Sequence, residues 1–572
     1  DPTAFEQKLQ PFIERRGGAD MKALGVARKL FMQPLEEIYL HSHIEDEIAS
    51  NGNSTYLYIL GSIAVLVLLI ACINFMNLST ARSGRRAKEV GVRKVMGAER
   101  QSLVFQFLGE SMIMTCLALL LALILASVIL PFFNNLTQKN LRLFDQPGIW
   151  LKIVLLAICT GILSGLYPAF YLSSFKPIAV LKGRLLNNFS AGAIRKGLVI
   201  FQFTISICLI LGSVIIVKQL HFLDSQPLGF NKEQQIVLPL QDPQAKKNYT
   251  AFKDLLLKDP GVRSVTCGST YPGIANIDDM VFYAEGKTVQ DVIDIHTGVV
   301  DNDYFETLGL QMLRGRNLSR DLTADSNSIV LNEAALAKLG YPIDKAIGRK
   351  INFDFRGDRG ALTIIGIVKN FNFESLYNSI KPFGFNRHFW FGNRYNYVIA
   401  NVTSKDFPDI LKRAERTWHA INSGVPFQYS FLDKDFQKNY EKDQRTASLV
   451  GYFTVIAIVI ACLGLFGLSA FSAEQRIREI GIRKVLGASV TNVAALLSRD
   501  FIGLVLIALV IASPLAWYGM NKWLQNFVYR IHISWWMFVL AGLLAIVIAL
   551  GTVSFQAIKA ALANPVRSLR SE

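Results

Sequence analysis

The chain is 572 residues long, 51% hydrophobic, with a formal net charge of +16, and its mean hydropathy of +0.31 excludes an ordinary soluble protein of this length. The basic residues gather in particular loops between long uncharged runs, which argues for membrane topology control and against nucleic-acid binding. About 20 apolar residues in a helix cross a bilayer core, and such runs fall at residues 56–78, 112–132, 150–171, 198–217, 449–471, 501–518 and 535–555.

Residues 1–55 are polar and open without an initiator Met or a signal peptide, so they read as the end of a first extracytoplasmic domain whose beginning and preceding span are missing. His41 and His43 flank Ser42 and precede Glu45, Asp46 and Glu47; a solvent-facing polar helix is the preferred reading over a metal cluster. Beyond the first apolar run the loop carries Arg82, Arg85, Arg86, Lys88, Arg93, Lys94 and Arg100; the loop after the third carries Lys176, Lys182, Arg184, Arg195 and Lys196. The loop after the fifth carries Arg476, Arg478, Arg483, Lys484 and Arg499, and the tail Lys559, Arg567 and Arg570. If each run crosses once, all four regions share one side, and the positive-inside rule makes that side the cytoplasm. Residues 1–55 and 218–445 then lie outside. The expected organisation is a domain end at 1–55, a three-span membrane domain at 56–185, a single span at 198–217, an extracytoplasmic domain at 218–445 and a second three-span domain at 449–572.

Within 218–445 the pattern is that of an α+β domain. Strand, amphipathic helix and strand are expected at 234–240, 244–258 and 262–267, and again at 397–402, 408–422 and 427–432; two such units flanking an insert pair into a split βαβ sheet. The insert, 281–385, holds further strands at 328–331 and 363–369 and a short helix at 332–339, while Asp278-Asp279 reads as a solvated turn. Cys72, Cys116, Cys159, Cys208 and Cys462 sit in apolar runs and Cys267 lies outside them, so no disulfide framework is implied.

The chain also repeats itself. Ala71-Cys72-Ile73 through Leu78-Ser79 parallels Ala461-Cys462-Leu463 through Leu468-Ser469, and the register continues without a gap. Arg86-Ala87-Lys88-Glu89-Val90-Gly91-Val92-Arg93-Lys94-Val95-Met96-Gly97-Ala98 then matches Arg476-Ile477-Arg478-Glu479-Ile480-Gly481-Ile482-Arg483-Lys484-Val485-Leu486-Gly487-Ala488. Matching polar positions are far less common by chance than matching apolar ones. Both copies enter the membrane from the same side, which makes the repeat parallel. Val92, Val95 and Met96, like Ile482, Val485 and Leu486, fall at helical i, i+3, i+4 spacing and give a short apolar edge to a basic helix. A helix resting on anionic lipid has this pattern, and so does a docking element. Gly97-Ala98 and Gly487-Ala488 end the helix, and Ser489 suits the N-cap of the next.

No Gly-x-x-x-x-Gly-Lys-Ser/Thr loop, Gly-x-Ser-x-Gly elbow or His-Glu-x-x-His occurs in the 572 residues, so neither enzymatic activity nor a bound cofactor or metal is expected of them. The apolar runs hold few ionisable groups: Lys152 lies near an end, and Asn74, Asn77 and Gln202 are neutral and suit helix contacts better than a proton pathway.

The repeated run Arg-x-x-Glu-[Val/Ile]-Gly-[Val/Ile]-Arg-Lys-Val-x-Gly-Ala, followed by two spans, resembles the MacB/FtsX-type ABC transporter permease family over 56–185 and 449–572. Asn302–Gly315, Val330-Leu331-Asn332-Glu333-Ala334 and Ile365 to Phe371 resemble that family's periplasmic core domain. The resemblance implies an α-helical polytopic membrane protein with an α+β extracytoplasmic domain of split βαβ, periplasmic-core type, set in the bacterial inner membrane. It implies a separate dimeric cytoplasmic ABC ATPase that carries the ATP, and an export or force-transmitting role on peptides, macrolide-like drugs or lipoproteins; the alternative is an FtsX-like regulator of a cell-wall hydrolase. Membrane lipid, a periplasmic adaptor, an outer-membrane factor or a murein hydrolase are the further partners it suggests. The ATPase contacts it implies are Arg86, Glu89, Gly91, Arg93, Lys94 and Gly97, with Arg476, Glu479, Gly481, Arg483, Lys484 and Gly487 in the second copy.

Overall fold

The computed structural model describes residues 2–23, 29–42, 52, 54–81, 83–143, 145, 147–174, 189–274, 277–319, 323–355, 358–387, 395–403, 407–486 and 488–561. In chain order, α1 (Pro2–Ala23), α2 (Leu35–His41), α3 (Ser54–Ala81), α4 (Ser83–Val95), α5 (Arg100–Thr137), α6 (Pro147–Ser173) and α7 (Phe189–Asp224) come first. There follow β1 (Gln235–Pro239), α8 (Pro243–Leu256), β2 (Val262–Gly268), β3 (Asp278–Ala284), β4 (Ile293–Val299), α9 (Tyr304–Thr307), β5 (Met312–Gly315), β6 (Ser328–Asn332) and α10 (Glu333–Leu339). Next are β7 (Lys350–Phe355), β8 (Asp358–Val368), β9 (Phe383–Asn386), β10 (Tyr397–Val402), α11 (Phe407–Ile421), β11 (Ser430–Phe431) and α12 (Leu432–Lys438). Last come α13 (Glu441–Gln475), α14 (Ile477–Val485), α15 (Val490–Leu524) and α16 (Trp535–Ala561). The chain falls into two units: Asp1–Ser54 with Phe222–Lys442 and Asn526–Arg530, and Thr55–His221 with Asp443–Gln525 and Ile531–Glu572.

In the first unit one sheet runs β11-β1-β10-β2 with every neighbouring pair antiparallel, so β10 separates the parallel strands β1 and β2. That is the expected split βαβ. Asp242 caps α8 by accepting from the Gln244 amide at 2.7 Å, with Pro243 following where a missing N–H costs nothing. Phe252 of α8 and Trp418 of α11 meet edge to face at 5.0 Å beneath the sheet, among Val265, Val398, Ala400 and Val402. The expected strand at 427–432 shrinks to Ser430 and Phe431, because Leu432 already opens α12, whose first turn carries Asp433 and Asp435.

The insert forms a closed ring, β7-β8-β6-β9-β4-β3 and back to β7, with β5 beside β8. Closure hinges on the long β8, whose Thr363 pairs with Lys350 of β7 on one side and Ser328 of β6 on the other. A closed ring leaves few free edges for other chains to pair with. Phe282, Ile295, Ile329, Leu331, Ile351, Phe353 and Ile364 fill it, with Leu336 of α10 against them. Asp278 and Asp279 are not a turn: they open β3 opposite Thr297 and His296, because the ladder needs their backbone while their side chains stay exposed. The helix expected from residue 332 begins at Glu333, with Asn332 as its cap, accepting from Ala335 N at 2.9 Å.

Seven helices among the described residues are long and apolar enough to cross a membrane, at the expected places but longer than the apolar runs: the second extends over Arg100–Thr137 and the fourth over Gly192–Asp224. All seven belong to the second unit over most of their length. Here α7 is the most buried span; one face packs on α3 and α13 through Ile205, Leu209 and Ile216, another on α15 and α16 through Phe203, Ile207 and Leu211. Hydrogen bonds pin the apolar contacts: Thr454 to the Leu209 carbonyl at 3.3 Å, Gln219 accepting from Ile531 N at 2.9 Å, and Tyr56 donating to Asp443. Asn74 donates to the Ile460 carbonyl at 3.4 Å while Asn77 and Gln202 are buried, the helix-contact role expected of them.

Candidate functional site: a repeated helical elbow

Helix α4 leaves α3 and turns back toward α5. Its inward face carries Val90 and Gly91, both buried, with Val90 packed on Leu103, Phe107, Ala169 and Leu172. Val92, Val95 and Met96 point away and are 52 to 83% exposed. At the end Gly97 takes φ +96°, and the Ala98 amide closes back on the Arg93 carbonyl at 3.0 Å, the left-handed helix stop for which glycine is suited. Lys94 donates to the Ser173 carbonyl at 2.6 Å; burial, and then the nearby Arg100 charge, hold its ammonium below the usual lysine range.

Helix α14 repeats this arrangement. Ile480 and Gly481 are buried inward, Ile480 packing with Ala473 and Ala557, while Ile482, Val485 and Leu486 are 52 to 80% exposed. The Ala488 amide returns to the Arg483 carbonyl at 2.9 Å, and Ser489 caps α15 by accepting from Asn492 N at 3.2 Å. The side chain of Lys484 and all of Gly487 lie outside the described residues, as do His43 and Glu45 to Glu47 of the histidine cluster; His41 is exposed. No group of three or more metal-ligating side chains occurs among the described residues.

The elbows are braced alike. Arg86 donates to Glu110 at 2.6 Å and Arg476 to Asp500 at 3.0 Å, each across 24 residues, and Arg93 to Glu89 and Arg483 to Glu479 at 2.7 and 2.8 Å across four. Arg93 adds a bond to Gln106 at 2.7 Å. Exposed ion pairs contribute only about 0–1 kcal/mol each, so their worth is geometric: they fix how the elbow stands on the following helix. Sequence reasoning missed Glu110, Asp500, Gln106 and Ser173. The signal was available for the first two, since the repeat carries an acidic residue in register at both positions. The structure divides the expected contact set: Gly91 and Gly481 seat the elbow, Arg86 and Arg476 brace it, and the outward edge is formed by Val92, Val95 and Met96 with their counterparts.

Seven span-length helices, a doubled helical elbow and a split βαβ domain with a ring-shaped insert define a multi-pass α-helical membrane protein with a repeated three-helix membrane domain. The family model for the FtsX-like permease C-terminal matches residues 61–177 and 451–565, and that for the MacB-like periplasmic core domain matches 200–414, together most of the chain. The chain belongs to the MacB/FtsX family of ABC-type permeases. It is 28% identical over 181 residues to the macrolide export ATP-binding/permease protein MacB of Agrobacterium fabrum, an overlap that takes in 32% of this chain and 26% of that protein. It is 29% identical over 208 residues to an uncharacterized ABC transporter permease of Methanocaldococcus jannaschii, covering 32% of this chain and 48% of that one. The chain thus spans about a quarter to a half of the length of these curated relatives. The crystal structure of the periplasmic region of MacB from Actinobacillus actinomycetemcomitans aligns with 37% of this chain and 94% of its own at 14% identity, with a TM-score of 0.27.

Proposed function

We infer that α4 and α14 are the coupling elements of an ABC-type export or mechanotransmission system, bound by the two halves of a dimeric cytoplasmic ATPase on a separate polypeptide. The observation that carries this is the doubled exposed edge, Val92, Val95 and Met96 with Ile482, Val485 and Leu486, held by the same braces in both repeats. A twofold ATPase requires two equivalent seats, and a parallel repeat supplies them in one chain. No phosphate loop lies in these residues, and this reading assigns the ATP to the partner ATPase.

The machine works if the ATPase binds the two permease states unequally, since only differential affinity shifts a conformational equilibrium. The setting is the bacterial inner membrane, with the elbows against anionic lipid on the cytoplasmic side and 218–445 outside, available to a periplasmic adaptor or an outer-membrane factor. Its cargo class is amphiphilic: an antimicrobial peptide, a macrolide-like drug or a lipoprotein. No nucleic acid is involved.

The test is co-purification of the ATPase with Arg93→Glu/Arg483→Glu, and with Met96→Asp/Leu486→Asp, whose positions are at least 80% exposed. Both doubles are expected to lose the ATPase at least tenfold while inserting normally; retention by both sinks the docking assignment. Deletion of the gene should raise drug or peptide sensitivity. Division defects in its place, with capture of a murein hydrolase by the extracytoplasmic domain, would install the FtsX-like regulator.

A further inference from the structure

The two copies of the repeat face each other where α3 crosses α13, and there they are unlike. From 71–79 to 461–469 the register keeps every apolar position apolar and the closing Leu-Ser identical, while Asn74 and Asn77 stand where the second copy has Gly464 and Gly467. Asn74 lies over its own counterpart: a Cβ on Gly464 would come 2.7 Å from Asn74 Oδ1. Residues related by a twofold meet one another only at its axis, so the pseudo-twofold of the parallel repeat runs through this crossing. The Asn74 amide donates to the Ile460 carbonyl at 3.4 Å, one turn before the glycine. A side chain at 464 has no second way out, because Gln202 Nε2 of α7 stands 3.2 Å from the same Cβ. Three residues on, a Cβ on Gly467 would run into Leu78 Cδ2.

Small residues let helix backbones approach in a bilayer, and a single buried amide at a crossing selects the helix it accepts. A second α3 in the place of α13 would set Asn74 against Asn74, with the glycine gap gone. A second α13 in the place of α3 would set Gly464 against Gly464, leaving a void and no amide for the Ile460 carbonyl. Specificity of this kind comes from rejecting the wrong partner as much as from fitting the right one. We propose that Asn74 and Gly464 key the two halves to each other. The partner that α3 fits is the glycine-faced α13 of the same chain, and the α3 of a second copy is refused, so the permease pairs its unlike halves within one polypeptide. This goes beyond the docking of an ATPase and does not depend on it.

The test reads the crossing in the full chain, stripped of native cysteines. Leu78→Cys/Gly467→Cys suits it, since the first change removes the atom that the second would meet. Oxidation in membranes should cross-link the pair within one chain, so that fragments cut in the extracytoplasmic domain stay together until reductant is added. Adding Gly464→Asn should lower that yield at least about fivefold by overfilling the crossing. Reversing the key with Asn74→Gly/Gly464→Asn should restore it, because an amide at 464 then faces a glycine and reaches the carbonyl of Ile70, the register counterpart of Ile460. If Gly464→Asn does not accumulate, the reversed pair still decides: recovery of chain and cross-link supports the key, and failure of either sinks it. Cross-linking between chains in the parent pair, or a yield that Gly464→Asn leaves unchanged, overturns the proposal equally.

Discussion

Lys253 is a lysine on α8 with only 6% of its side chain exposed, and it survives there because its ammonium donates to Asp301 at 2.7 Å and Asp303 at 2.5 Å. Burial by itself would lower its pKa, but the hydrogen bonds to both carboxylates and their charges outweigh that and raise it. A raised lysine contributes fully below its unfolded value and fades only as pH climbs through the folded one, so the window of loss lies above about pH 10.4. Lys253→Met takes the ammonium away from Asp301, which is 1% exposed, and should cost about 3–5 kcal/mol, constant from roughly pH 6 to 9. Chemical unfolding of the solubilised chain would measure it; a loss under about 1 kcal/mol would reduce the pair to the rank of a surface contact. The family-like segments around Asn332 and Asn370 find their meaning at this scale too. Glu333 accepts from the Asn370 amide at 2.8 Å, Asn370 accepts from Ala334 N at 2.9 Å, and Asn332 accepts from Phe383 N at 2.9 Å, so two distant runs clasp each other through side chain and backbone. Their spacing in sequence reveals none of this, because the partners meet only across β6, β8 and β9.

Among elements, the α5–α6 hairpin shows how a membrane contact is built without a hydrophobic driving force. A Cβ on Gly165 would stand 2.7 Å from the Cβ and Oγ of Ser111, whereas one on Gly109 of α5 would meet nothing within 4 Å. The same substitution therefore has opposite signs at the two sites. Gly165→Ala forces the helices apart at about 1–3 kcal/mol, and Gly109→Ala gains up to about 1 kcal/mol of helix propensity. Thermal unfolding in detergent should separate the pair, and a Gly165→Ala variant as stable as the parent would show that the hairpin opens freely. Helix positions were legible from apolar runs, since length and hydropathy suffice. Helix ends were not, because α5 and α7 extend past their apolar segments into polar turns whose backbone bonds are made within the helix.

For the whole molecule, the parallel repeat makes a claim about sidedness that the elbows expose to experiment. In a background stripped of native cysteines, Met96→Cys and Leu486→Cys should react with a membrane-impermeant maleimide only after the cytoplasmic face is opened. Leu141→Cys, exposed in the segment between α5 and α6, should react in intact cells. Labelling of Met96→Cys and Leu486→Cys from opposite sides would make the repeat inverted and remove the basis for two equivalent seats.

By itself the sequence determined the membrane class, the places of the spans, the repeat and the split βαβ pattern, because hydropathy, charge placement and period are local properties that a reader of one strand or one helix can see. Tertiary structure alone decided that β8 closes the insert into a ring, that Gly91 and Gly481 face inward while Met96 and Leu486 face out, and that one repeat's alanine stripe is covered and the other's bare. Each of these depends on which distant segment lies alongside, which local sequence leaves open: Ala512 is fully buried beside α7, whereas Ala122, in register with it, is exposed.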